Sequence, residues 1–175
     1  WDKPRLGQVS FKGSRDNNAI ALSKLPIEGV TLIGDEEDSD PRRRYKMVFN
    51  CAHPDKYYTI RTATSADGIH WSVQPGFPIR AFAEQASFYK HNGLYVVNAQ
   101  GRAPESLSEG GGECGRRGIA WVSPDFRRWL PESAESFLLP EPLDPKDRGT
   151  TKPYDQVHLG VGAASFGNVA VGLHC

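Results

Sequence analysis

The sequence is short of most features that would disclose a function directly. It holds three cysteines, Cys51, Cys114 and Cys175, an odd number with no C-x-x-C spacing. That excludes a full disulfide framework and a zinc or thioredoxin-like signature, so the three read as ordinary thiols. Charge of one sign is also missing: 21 Lys and Arg balance 21 Asp and Glu. No nucleic-acid or anionic-membrane partner is therefore expected. Apolar runs are too short to span a bilayer, and no signal-peptide pattern is present. The single methionine is Met47, while the chain opens on Trp1 and stops at Cys175 inside the apolar run 169–175. Both ends thus read as cut. Histidines 53, 70, 91, 158 and 174 lack the i, i+4 ligand spacing, so no metal or other cofactor is expected. The glycine run 110–115 lacks the Lys-Ser/Thr tail of a phosphate loop, and no serine or cysteine sits in a nucleophile elbow.

Helical periodicity is absent too. Short strand-forming runs stand at 45–51, 57–64, 86–90, 94–99, 118–122, 157–161 and 168–175, separated by turn signals such as Asp67-Gly68 and Asn92-Gly93. Such a pattern suits a sandwich, a barrel or a propeller. Self-similarity decides among them. Ser65-Ala-Asp67-Gly68-Ile-His70-Trp71 recurs as Ser123-Pro-Asp125-Phe-Arg-Arg128-Trp129, both S-x-D-x-x-x-W, with the tryptophans 58 residues apart (71 to 129). Serine and aspartate side chains suit a tight hairpin, and the Trp is expected on a blade's outer face. A second pattern, acid–amide–x–x–apolar, occurs at Asp16-Asn17, Glu84-Gln85 and Asp155-Gln156, spaced 68 (16 to 84) and 71 (84 to 155) residues. A β-sandwich gives no reason for repeating units, and a propeller does.

The expectation is an all-β chain: a fragment of a five-bladed β-propeller, with two full four-stranded blades and parts of two more. Residues 1–12 would end a preceding blade, 13–80 and 81–150 would be blades, and 151–175 the first half of the next. The run 35–40 (Asp-Glu-Glu-Asp-Ser-Asp) followed by Arg42-Arg43-Arg44 reads as a solvated turn. The open faces at the two ends would favour self-association.

Innermost strands line a propeller's axis, so the acids opening them should converge although they lie far apart in sequence. Asp16, Glu84 and Asp155 would then share one funnel, with Asn17, Gln85 and Gln156 offering amides to sugar hydroxyls. Clustered carboxylates are what glycoside hydrolysis needs, one protonated and one ionised. His158 lies on an expected inner strand and joins the candidates.

Trp1-Asp-Lys-Pro-Arg-Leu-Gly7, Gly13-Ser-Arg15-Asp16-Asn17-Asn18, Tyr45-Lys-Met47 and Ser65-Ala-Asp67-Gly68-Ile-His70-Trp71 together resemble the five-bladed propeller glycosidases. These form the clan of glycoside hydrolase families 32, 43 and 68, and the likeness is to bacterial proteins with family 32-type domains. The resemblance implies a catalytic pair in which Asp16 stabilises the oxocarbenium-like transition state and Glu84 is the general acid. Arg15, Asn17, Gln85, Asp155, Gln156 and His158 would bind substrate. Arg15-Asp16 resembles the family's Arg-Asp-Pro motif with Asn17 in place of proline. Glu84 resembles its Glu-Cys motif with Gln85 in place of cysteine. Glu113-Cys114 spells that motif but falls between two strands of one blade. The family's nucleophile-bearing blade would precede Trp1. The residues leave the compartment open, and the resemblance points to a secreted or periplasmic one. Two rival readings remain: a non-catalytic propeller for carbohydrate binding or assembly, and a sialidase-like propeller, which would need three pocket arginines.

Overall fold

The computed structural model describes residues 3–22, 24, 26–52, 58–76, 78–79, 83–101, 117–129, 135–137 and 160–173. They form strands and irregular segments, with one 3₁₀ turn at Pro41–Arg43. The first sheet is β1 (Ile27–Gly34), β2 (Tyr45–Ala52), β3 (Tyr58–Ser65) and β4 (Ser72–Val73), each antiparallel to the next. The second repeats that order with β5 (Ala83–His91), β6 (Leu94–Gly101), β7 (Arg117–Ser123) and β8 (Glu135–Phe137). A hairpin of β9 (Gly162–Phe166) and β10 (Val169–Leu173) follows. The leading strands are neighbours, β5 lying against β1 on one side and β9 on the other. Consecutive four-stranded meanders with adjacent leading strands are the plan of successive propeller blades. Among the described residues no helix is long and apolar enough to cross a membrane.

Register makes the two sheets equivalent residue by residue. Tyr45 pairs with Ser65, and Tyr95 pairs with Ser123. From there the S-x-D turns share their aspartate-centred bonds. Asp67 Oδ1 accepts the amides of Ile69 and His70 at 2.8 Å each, and Asp125 Oδ1 accepts those of Arg127 and Arg128 at 2.8 and 2.9 Å. Ser65 and Ser123 donate to their own aspartates at 3.0 and 3.1 Å. Gly68 and Phe126 hold the same left-handed position, at φ 75° and 59°. The tryptophans then part company. Trp71 donates to Gly68 O and lies partly buried against Met47, Phe49, Cys51 and Ala63. Trp129 is buried in the core between the two sheets, not on an outer face, and its indole nitrogen has no hydrogen-bond partner among the described residues.

The middle strand β2 is buried on both faces because each face meets a different layer. Met47, Phe49 and Cys51 lie under Ile20 and Leu22 of the irregular N-terminal segment. Burial pushes the Cys51 thiol pKa up, against a smaller pull from Arg61, which leaves an inert side chain. Val48 faces the second sheet, in a core with Ile60, Phe88, Tyr95, Val97, Ile119, Trp121, Phe126 and Trp129. Each such side chain contributes about 1.5–3 kcal/mol by leaving water.

Two further expectations need correction. Residues 16–20 form no strand; the inner strand of the first sheet is β1, which begins at Ile27. Glycines 29 and 34 break the apolar run of β1 and hid it. The acidic run after β1 is exposed at Glu36, Glu37 and Ser39, as a solvated turn would be, but Asp35 and Asp38 turn inward. Lys46 is fully buried on the β2 face toward the second sheet, and its Nζ meets Asp35 at 2.7 Å, Asp38 at 2.8 Å and the Arg43 carbonyl at 2.9 Å. Lys90 of β5 meets Asp35 and Glu37, each at 2.9 Å, and the Tyr95 hydroxyl donates to Asp35. An ammonium group buried by the sheet's geometry drew the carboxylates in, since an unpaired buried charge is far costlier than a paired one.

Candidate functional site

The leading strands open at one end of the molecule and turn at the other. At the turning end, Gly34–Glu37, Lys90, Asn92, Gly93, Ser165 and Gly167 surround a depression of ≈ 600 Å³. The opening end carries the acids. Glu84 is the second residue of β5, half-buried, paired in register with Gln100, whose amide donates to its carboxylate. The next residues form a β-bulge between Gln85 and Ser87, a device that re-aims side chains beside functional sites.

The first sheet has the same construction. Glu28 pairs with Asn50, the register position equivalent to Gln100, and a bulge follows between Glu28 and Val30. Glu28 is therefore the structural counterpart of Glu84. Gly29 at the bulge has φ 58°, and a Cβ there would stand 3.1 Å from Gln85 Nε2. The glycine thus lets Gln85 lie across the gap between the two leading strands, where Thr31 Oγ1 donates to Gln85 Oε1 at 2.7 Å. One strand on, Ser87 repeats the contact, donating to the Val161 carbonyl at 2.9 Å. Gly160 packs so closely that a Cβ would come within 2.8 Å of Ala86.

Sequence reasoning missed Glu28 because its neighbour is glycine and not an amide. A signal was available. Glu28 and Glu84 are 56 residues apart (28 to 84), close to the 58 of the tryptophan repeat, whereas Asp16 and Glu84 are 68 apart. The two spacings could not both be the period of one unit.

Arg15, Asp16 and Asn17 lie in the irregular segment and hold one another's loop. Asp16 is exposed and ion-paired with Arg5 at 3.0 Å, and its amide donates to Ser14 Oγ. Arg15 donates to the Gly7 carbonyl at 3.2 Å. Asn17 donates to Val9 and Ser14 carbonyls and accepts the Ala19 amide. Asp155, Gln156, His158 and the Glu113-Cys114 pair lie outside the described residues. The structure therefore brings together Glu84, Gln85, Glu28, Asn50 and Gln100 at one end of adjacent strands. Chemically the group offers two carboxylates on a bulged rim, Glu84 half-buried and Glu28 exposed, with Gln85 between them, a set able to hold hydroxyl-rich ligands and to exchange a proton with them.

No protein-family model and no curated protein matches the sequence. Solved structures do match in fold. One is a glycoside hydrolase, at 18% identity and TM-score 0.57, and another is the protein BT0996 in complex with RGII, at 17% identity and TM-score 0.56. Each likeness takes in 85% of this chain and 41% of the other, so this chain spans about two fifths of those proteins' length. The chain shares the fold of a glycoside hydrolase structure over most of its described strands.

Proposed function

We propose that this chain is part of a carbohydrate-active propeller of the glycosidase type, with its ligand site at the openings of the leading strands. The observation that carries the reading is Glu84, a half-buried carboxylate opening a leading strand and bound by the Gln100 amide, in a fold like that of a glycoside hydrolase. In the finer reading, drawn from the family 32, 43 and 68 resemblance, Glu84 is the general acid. Gln85, half-buried beside it, holds sugar hydroxyls, while the buried Asn50 and Gln100 support the rim. Glu28 supplies a second carboxylate at the matching register position, and Asp16 remains a candidate stabiliser if its loop reaches the rim. Stereochemical outcome would follow the separation of the working carboxylates, about 5–9.5 Å in glycosidases.

A panel of 4-nitrophenyl glycosides and oligosaccharides, RGII fragments among them, tests this directly. Turnover that E84Q lowers by about 100-fold or more would support the acid role. E28Q and D16N, run beside it, identify the second carboxylate by which one slows the reaction. One observation favours a non-catalytic saccharide-binding module: the Asp16 carboxylate is already engaged by Arg5 on an exposed loop. Binding without turnover, weakened by E84Q, would select that reading. No binding to any member of the panel would overturn both.

A further inference from the structure

Asn50 is 3% exposed and lies in β2 of the first sheet, yet both ends of its amide are spent on the second. Its Nδ2 donates to the Ala83 carbonyl at 2.6 Å, and its Oδ1 accepts the Gln85 amide at 2.8 Å. Ala83 and Gln85 are the residues on either side of Glu84. A buried side-chain amide with donor and acceptor both engaged has one orientation, so the backbone around Glu84 is held from outside its own sheet. Gln100, the register equivalent of Asn50, holds the carboxylate itself.

We infer that Asn50 is a positioning residue for Glu84: an inter-sheet clamp that fixes where the Glu84 side chain leaves β5. The inference rests on the proposed role of Glu84, and it adds the device that aims it. The clamp spans the junction between two sheets, so any shift of one against the other moves the carboxylate. A misplacement of about 1 Å is enough to lose about 100-fold in rate.

The test compares N50A, N50D and N98A in the 175-residue chain. N98A removes another buried amide, in β6, that donates to Ser87. The readouts are the carboxyl-carbon NMR resonance of Glu84 at fixed pH, assigned with E84Q, and hydrogen exchange at the Gln85 amide. N50A is expected to move the Glu84 resonance and to speed Gln85 exchange about tenfold relative to N98A. N50D keeps the acceptor for Gln85 and loses the donor to Ala83, so it should restore Gln85 protection without restoring the Glu84 resonance. Where the panel shows turnover, kcat of N50A should fall about 10- to 100-fold with KM within about twofold. An unchanged Glu84 resonance and unchanged Gln85 exchange in N50A, or the same changes in N98A, would overturn the inference. A silent E84Q on the panel overturns the functional reading instead, and the two failures are told apart because the NMR readouts need no substrate.

Discussion

At the residue scale the molecule is governed by a few polar side chains that the sheet geometry places indoors. One face of β2 carries Lys46, Val48 and Asn50 toward the second sheet, and each does a different thing. Lys46 anchors the ionic network at the turning end, Val48 joins the core, and Asn50 clamps the opening of β5. The network has a pH signature. Burial alone would raise the pKa of Asp35, but hydrogen bonds from Lys46, Tyr95 and Lys90 outweigh it and hold the carboxyl well below the usual carboxylate range. The unfolded chain then binds the proton more tightly than the folded one. Stability contributed by Asp35 is complete above the unfolded value near pH 4 and is lost as pH falls through the folded value. Urea unfolding between about pH 3 and pH 7 should show the wild type losing stability toward acid more steeply than D35N. Near neutral pH, D35N should be weaker by about 1–3 kcal/mol, because Lys46 and Lys90 lose a shared carboxylate while Asp38 and Glu37 still pair with them. Parallel pH curves for the two proteins would sink this account.

At the element scale, the S-x-D turns show how one local sequence builds one local structure twice. The serine donates to the aspartate and the aspartate accepts the same two amides in both copies, and the fourth residue is left-handed in both. Glycine meets that demand at no steric cost, while Phe126 meets it because its ring is wedged among Phe88, Tyr95 and Trp129 at centroid distances of 5.4, 5.3 and 6.1 Å. Both F126A and F126G should lose about 3–5 kcal/mol of packing. The order between them should invert the usual one: F126G should be the more stable by about 1 kcal/mol, since it sheds the left-handed strain that alanine keeps. Chemical unfolding midpoints decide it, and an alanine variant at or above the glycine variant would count against the turn geometry.

At the scale of the whole molecule, sheet is joined to sheet by close approach of the leading strands. Gly160, at φ 74°, has room for no Cβ: Ala86 would be 2.8 Å away, and the backbone at Ala99 and Gln100 3.2 Å. G160A should therefore push β9 from β5 and cost about 1–3 kcal/mol, with the loss of protection concentrated at Ser87 and the β9 amides. Protection lost evenly across both sheets would contradict a junction role. On the far side of that hairpin, Phe166, Val169, Val171 and Leu173 are exposed, and β10 has no second neighbour among the described residues. An apolar edge strand of this kind drives association. The V171K/L173K double variant should scatter less light than the wild type at equal concentration while unfolding at a similar midpoint. Equal scattering would show that association, if present, uses another surface.

Much of this was legible without coordinates. The strand character of residues 45–51, 94–99 and 118–122 follows from composition and spacing, and so do the S-x-D turns and the all-β class. These depend on local chemistry: β-branched and aromatic runs, and side chains that bond the nearest amides. Glu84 at the start of a strand was equally readable. Three features were not. The strand Ile27–Gly34 carries two glycines, and the purpose of Gly29, a bulge and a close approach to Gln85, exists only once the second sheet is in place. The charges at 35–46 look like a solvated turn until Lys46 is enclosed against the second sheet, after which pairing is the only inexpensive state for it. The match of Glu28 with Glu84, and Asn50's hold on the residues beside it, come from register between strands that no local pattern encodes. The sequence by itself determined which segments extend and how they turn, because those interactions lie within a few residues. Which acids share a rim and which lysine is buried was decided by the docking of one sheet on the next.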